Sequence, residues 1–140
     1  MLKISGLFKT FNPGTPDEIF ALQGVDLEIE KGSFTVVIGT NGSGKSSFLN
    51  AVAGTFLPDQ GEIELDGKKM SRWPEHRRAK WIGRVFQNPF SGTAPHMTIA
   101  ENLALAVFRG KRRGLGRALS RARLKEFKTL IRALNMGLED

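Results

Sequence analysis

With 140 residues, 40% of them apolar and 25% charged, the chain has the composition of a globular domain, long enough for one core, short for two, and far from the signature of disorder. It contains no cysteine, which excludes disulfides and thiolate metal sites, and no apolar run near the roughly 18 residues that suggest a membrane-crossing helix. The net charge of +7 is uneven: residues 68–125 carry 15 Lys or Arg against only Glu75 and Glu101, which suits either a solvated helical face or an anionic partner such as nucleic acid or a membrane surface.

Leu2, Ile4 and Leu7, and later Val25, Leu27 and Ile29, recur at spacings of two or three, which predicts two strands. Between them Asn12-Pro13-Gly14-Thr15-Pro16-Asp17 is dense in turn formers and reads as an exposed loop. After a turn at Lys31-Gly32, the continuous apolar and β-branched run Phe34-Thr35-Val36-Val37-Ile38 has the pattern of a buried, parallel strand. A glycine cluster follows, and then a helix over Lys45–Ala53, with Phe48, Leu49, Val52 and Ala53 on its apolar face and Gly54 as its C-terminal stop.

Pro58-Asp59-Gln60-Gly61 is another turn, and Glu62 to Gly67 alternates strictly, as an antiparallel strand with one wet face does. Trp81 to Phe86 is a further strand candidate that Pro89 brings to an end. Thr98 with Glu101 three residues later forms a capping box, and Ile99, Leu103, Ala106 and Val107 give helical spacing behind it. Residues 110–116 read as a mobile basic connector, and a last helix should run to about Leu134 with Phe127, Leu130, Ile131 and Leu134 buried.

Chemistry concentrates in Gly39-Thr40-Asn41-Gly42-Ser43-Gly44-Lys45-Ser46, which fits G-x-x-x-x-G-K-[ST] between a strand and a helix. Glycines there let successive backbone N–H groups turn inward with no Cβ in the way, making a concave seat for phosphate at a helix N-terminus. Lys45 would reach the β and γ phosphates, and the Ser46 hydroxyl would complete a Mg²⁺ shell. His76 and His96 have no carboxylate or histidine at metal-ligand spacing and receive no role.

The loop resembles the G-x-N-G-[SA]-G-K-S-[ST] form of ABC ATPases. Gly61-Glu62-Ile63 with Asp66-Gly67 resembles the strand that follows in that family, Val85-Phe86-Gln87-Asn88-Pro89 its Q-loop, and Met97-Thr98-Ile99-Ala100-Glu101-Asn102 the helix start after it. The match runs in the family's order from about Ile4 to Asn102.

This resemblance implies an α/β P-loop NTPase fold of the ABC ATPase type. An antiparallel β subdomain and core with the Q-loop would span residues 1–97, and the start of a helical subdomain residues 98–140. ATP and Mg²⁺ are the implied ligands, held by Gly39, Asn41, Gly42, Ser43, Gly44, Lys45, Ser46 and Ser47, with Lys45 and Gln87 as catalytic residues and Ser46 and Gln87 at the metal. Ser47 stands where Thr is usual, and its hydroxyl can still reach a phosphate. Taken alone, Gln87 reads as an ordinary polar residue at a strand end.

Phe11 lies where the family places an adenine-stacking aromatic, commonly Tyr; this chain has no Tyr, and a core-packed Phe is the alternative reading. The family's L-S-G-G-Q signature and its apolar strand ending in Asp-Glu do not occur in the sequence, so the expectation is an incomplete domain that binds nucleotide with little or no hydrolysis. The implied whole protein is a transporter's ATP-binding subunit, peripheral on the cytoplasmic face of the cell membrane. Its implied partners are transmembrane permease subunits and a second ATP-binding subunit, as a homodimer, with no specific nucleic acid. The rival readings are a nucleic-acid-binding P-loop protein that uses the 68–125 segment and a nucleotide sensor without turnover.

Overall fold

The computed structural model describes residues 1–111, 118–135 and 137. Contacts divide the chain into two compact units, Met1–Ile82 and Gly83–Asp140.

The first unit is built on an antiparallel sheet of order β2-β1-β3-β4, formed by β1 (Leu2–Phe11), β2 (Ile19–Ile29), β3 (Gln60–Leu65) and β4 (Lys68–Lys69). Ile4 stands opposite Leu27 on one side and Ile63 on the other, so the apolar positions of three strands fall on a common face. The three-residue step from Ile4 to Leu7 would break strict alternation. A register shift between them absorbs the extra residue, and both side chains end up buried. The sequence reading located β1, β2 and β3 and the exposed turn over residues 12–17, but not the two-residue β4.

Helix α1 (Lys45–Ala53) lays Phe48 and Ala51 against the buried cluster Ile4, Leu7, Leu22, Ile63 and Met70. Fully burying an aliphatic side chain of this size contributes about 1.5–3 kcal/mol, so these few residues account for much of what holds the helix to the sheet. Gly54, at φ 86°, ends α1 with its N–H on the carbonyls of Asn50 and Ala51. The expected apolar face needs one correction. Leu49 is 56% exposed, because the buried arc centres on Phe48 and Ala51 and Leu49 lies about 100° round the helix from Phe48.

The run Phe34–Ile38 departs further from expectation. It forms no strand, and Phe34 and Ile38 are 92% and 86% exposed. A continuous apolar run becomes a buried strand only when neighbours pair with its edges and cover its faces, and among the described residues none pairs with it. Short α2 (Glu75–Arg78) completes this unit.

In the second unit a 3₁₀ turn at Pro89–Ser91 precedes α3 (Ile99–Val107) and α4 (Arg121–Arg132). The capping box is present in both halves: Glu101 N–H donates to Thr98 Oγ1 at 3.3 Å, and Thr98 N–H donates to Glu101 Oε2 at 2.8 Å. Asn102 anchors the preceding loop, accepting from Ala94 N–H at 2.8 Å and donating to Ala94 O at 3.0 Å. Ala104 and Phe127 are the buried apolar residues of α3 and α4. Leu130 and Leu134, expected inside, are 56% and 63% exposed; no described neighbour covers them as it covers Phe127. Trp81 to Phe86 is not a strand either: among the described residues none pairs with it, and Val85 is bare of cover. Most of the expected connector over residues 110–116 lies outside the described residues.

Candidate functional site

Residues 39–46 fold as a turn that feeds the first turn of α1, with Ser43 N–H donating to Thr40 O at 3.3 Å and Phe48 N–H to Gly44 O at 2.8 Å. The N-cap of α1 is Gly44, in the left-handed region at φ 85°, and no side chain caps the helix there. The contrast with α3 and α4 is informative: Thr98 and Ser120 place a hydroxyl over the N–H groups that an α-helix leaves unpaired at its start. At α1 those donors, and the positive end of the helix dipole, face the loop.

Glycine is required at position 44 for two reasons. An L side chain would be strained at that φ, and a Cβ would lie 2.6 Å from the main-chain oxygen of Ala21 in β2. At Gly39 an added Cβ would lie 2.6 Å from Ser43 Oγ. Gly42, at φ 81°, has open space where a Cβ would go. The loop is therefore drawn tight against β2 at Gly44 and left open at Gly42.

Lys45 closes the turn. Its ammonium donates to Gly39 O at 2.9 Å, Thr40 O at 2.6 Å and Ser43 Oγ at 3.4 Å, so one cation gathers the rim of the loop. A cleft of about 470 Å³ opens beside it, walled by Leu22, Val25, Thr35 and Ile38 and reaching Gly39 and Lys45. Asn41, Gly42 and Ser46 are exposed, and Ser47 is half-buried.

The other sequence candidates lie elsewhere. Phe11 ends β1 opposite Ile19; it is half-buried, with its ring edge-on to Phe56 at 5.1 Å between centroids and 87° between planes. Lys9 Nζ lies 5.6 Å from both ring centres while holding Asp59 at 2.7 Å. That ammonium, with the N–H of Thr10, keeps the Asp59 carboxyl below the usual carboxylate range. Gln87 is exposed and belongs to the second unit, whereas Lys45 belongs to the first.

Sequence reasoning missed Arg78. It lies in a basic run that suits a solvated face or a surface for an anionic partner, yet it is fully buried. Its guanidinium donates to Ala51 O at 2.7 Å, Val52 O at 2.9 Å, Trp73 O at 2.7 Å and Ser71 O at 2.9 Å. Burial pushes its pKa below the usual arginine value. No pattern within residues 74–80 distinguishes Arg78 from Arg77, which is exposed and stacks on Trp73 at 4.7 Å.

Comparison with known proteins bears on the whole chain. The family model described as ABC transporter matches residues 22–137. A tyrosine transport ATP-binding protein of Clostridioides difficile (strain R20291) is 38% identical over 141 residues, covering 99% of this chain and 55% of that protein. A probable branched-chain amino acid transport ATP-binding protein, LivG, of Archaeoglobus fulgidus is 42% identical over 91 residues, which is 64% of this chain and 35% of that protein. Among solved structures, the dimeric ABC transporter cassette MJ0796 superposes with a TM-score of 0.73 at 30% identity, covering 94% of this chain and 57% of that one. The ADP conformation of the cassette MJ1267 gives the same TM-score at 26% identity, covering 100% and 56%. The chain thus spans about half the length of these relatives. With the family model matched over residues 22–137 and a relative 38% identical along nearly its whole length, the chain belongs to the ABC transporter family of ATP-binding proteins.

Proposed function

We propose that residues 39–47 bind the phosphates of ATP with Mg²⁺, and that the protein to which this chain belongs is the ATP-binding subunit of an ABC transporter. The observation that carries this reading is the uncapped start of α1, with the Lys45 ammonium resting on main-chain carbonyls of the loop. Phosphate oxygens entering the loop supply the negative charge that those carbonyls provide only in part, and the first-turn N–H groups of α1 become donors to them.

The donor set suits magnesium held through phosphate and water. Among the described residues no three His, Cys, Asp or Glu cluster to hold a metal by themselves, and Mg²⁺ at nucleotide sites keeps waters and phosphate oxygens as ligands. The Ser46 hydroxyl would supply one protein ligand and Gln87 another, with Gln87 also orienting the attacking water. Bound Mg²⁺ would neutralise charge developing on the transferred phosphoryl group. Phe11 would give adenine a ring to stack on, worth about 1–3 kcal/mol per base. Asn41, Gly42, Ser43 and Ser47 would line the phosphate path.

The two relatives named above are described as a tyrosine and a probable branched-chain amino acid transport ATP-binding protein, and one of the solved cassettes is described as dimeric. By analogy this chain's protein would pair with a second ATP-binding subunit and with permease subunits at the cytoplasmic face of a membrane. Residues 1–97 would form its β subdomain and core, and residues 98–140 would begin its helical subdomain. Phe34–Ile38, bare in this chain, would become the central strand once the rest of the protein covers it.

Equilibrium titration with ATP, with and without magnesium, tests the site. Magnesium should tighten binding to the chain, and Ser46→Ala should abolish that tightening. Nucleotide affinity indifferent to both magnesium and Ser46 would contradict the metal assignment.

A further inference from the structure

Arg78 is the largest fully buried side chain of the first unit whose charge the phosphate site does not use directly. A buried guanidinium is expensive unless its donors are satisfied, and here four main-chain oxygens satisfy it. Two of them, Ala51 O and Val52 O, belong to the last turn of α1, where an α-helix leaves carbonyls without partners and where its dipole is negative. The other two, Ser71 O and Trp73 O, lie on the segment after β4, and β4 pairs with β3. Arg78 therefore clamps the far end of the phosphate-loop helix to the segment that follows the sheet.

The near end of the same helix has little freedom of its own. Gly44 approaches Ala21 of β2 so closely that no Cβ fits, and nine helical residues at 1.5 Å each place the two ends about 13 Å apart. With Phe48 and Ala51 packed on the sheet between them, the close backbone contact at one end and the planar fork at the other fix the direction of this short helix.

We infer that Arg78 is a positioning residue for the phosphate loop: by binding the C-terminal carbonyls of α1 it fixes the direction in which the N-terminal amides and Lys45 point. The inference rests on the nucleotide reading for its consequence, though not for its geometry. Planarity matters as well as charge, since a lysine ammonium at this place is a point donor that cannot span Ala51, Val52, Ser71 and Trp73 together. Gly54 offers an independent way to disturb the clamp, because a Cβ there would lie 2.9 Å from Arg78 Cδ and Nε.

The test compares Arg78→Lys, Arg78→Met and Gly54→Ala with the unaltered chain, each checked by circular dichroism at a temperature where it is folded. Two quantities are read: the amide ¹H–¹⁵N shifts of Gly42, Gly44 and Lys45 without nucleotide, and the affinity for ADP. A purely structural role lowers the melting temperature and leaves both unmoved. The inference expects displaced amide shifts in all three variants and ADP binding about tenfold weaker in Arg78→Met, the equivalent of one lost hydrogen bond to a charged group. Arg78→Lys should recover less than half of that loss on a logarithmic scale. Loop amides at their unaltered positions in any folded Arg78 variant overturn the inference. If Arg78→Met does not fold, the Arg78→Lys and Gly54→Ala shifts decide. Failure of the unaltered chain to bind ADP would instead count against the nucleotide reading, while the amide shifts would still judge the clamp.

Discussion

Replacing Gly44 by alanine separates the two demands that the loop makes on its glycines, with Gly42→Ala as the control. Both positions have positive φ, 85° and 81°, so both substitutions carry the strain of an L residue in the left-handed region, about 1–2 kcal/mol. At Gly42 nothing lies within 4 Å of the new Cβ and the strain is the whole effect. At Gly44 the Cβ meets Ala21 O at 2.6 Å, where ordinary contact begins near 3.4 Å, so β2 and the loop must separate by most of an ångström. Forcing a methyl into packed surroundings adds about 1–3 kcal/mol. Gly44→Ala should thus lose about 2–5 kcal/mol against 1–2 for Gly42→Ala, a large share of the 5–15 kcal/mol typical of a domain. Urea denaturation followed by circular dichroism, with the slope checked for constancy, reads the difference directly. Equal midpoints for the two variants would refute the close approach of the loop to β2.

Thr98→Ala should destabilise the chain by about 1 kcal/mol through loss of the α3 cap, measured by the same denaturation. The N–H and hydroxyl of Thr98 hold the Glu101 carboxyl below its ordinary value. A lowered folded pKa means stability that is present above the unfolded value and lost as pH falls through the folded one. An NMR titration of Glu101 should therefore find a midpoint below that of an ordinary glutamate, shifting back up in Thr98→Val; a midpoint at or above the ordinary value contradicts the capping box. Ile38→Lys, at a site 86% exposed within an apolar run, should reduce self-association in sedimentation velocity while changing stability by less than about 0.5 kcal/mol. A loss of several kcal/mol would mean that Ile38 is buried in solution.

What the sequence disclosed and what it withheld divide along physical lines. Local rules sufficed where the determinants are local. Thr98 and Glu101 lie three residues apart and build their cap without help, Gly54 ends α1 by its own φ, and the phosphate loop is written in contiguous glycines. Periodicity sufficed for β1, β2 and β3, whose apolar faces close on one another and on α1.

It failed where burial depends on distant neighbours. Phe34–Ile38 has the composition of a buried strand, but composition cannot supply the strands that would flank it, and the side chains stand exposed. Leu49, Leu130 and Leu134 sit at helical spacings compatible with a core, yet the actual partners cover Ala51 and Phe127 instead. Arg78 is the opposite failure: a charged residue in a basic run lies wholly inside, because carbonyls at the end of a helix some 26 residues earlier accept its hydrogen bonds.

Isothermal titration calorimetry of the chain with Mg-ADP, repeated on Lys45→Ala, tests the central claim most directly. Lys45 is the cation that gathers Gly39 O, Thr40 O and Ser43 Oγ, and the account makes it the main charged contact for phosphate. The unaltered chain should bind, and the variant should bind more weakly by at least about 1.5 kcal/mol, the lower range for a hydrogen bond to a charged group. Equal affinities in the two proteins, with both shown to be folded, would contradict the assignment of residues 39–47 as the nucleotide site.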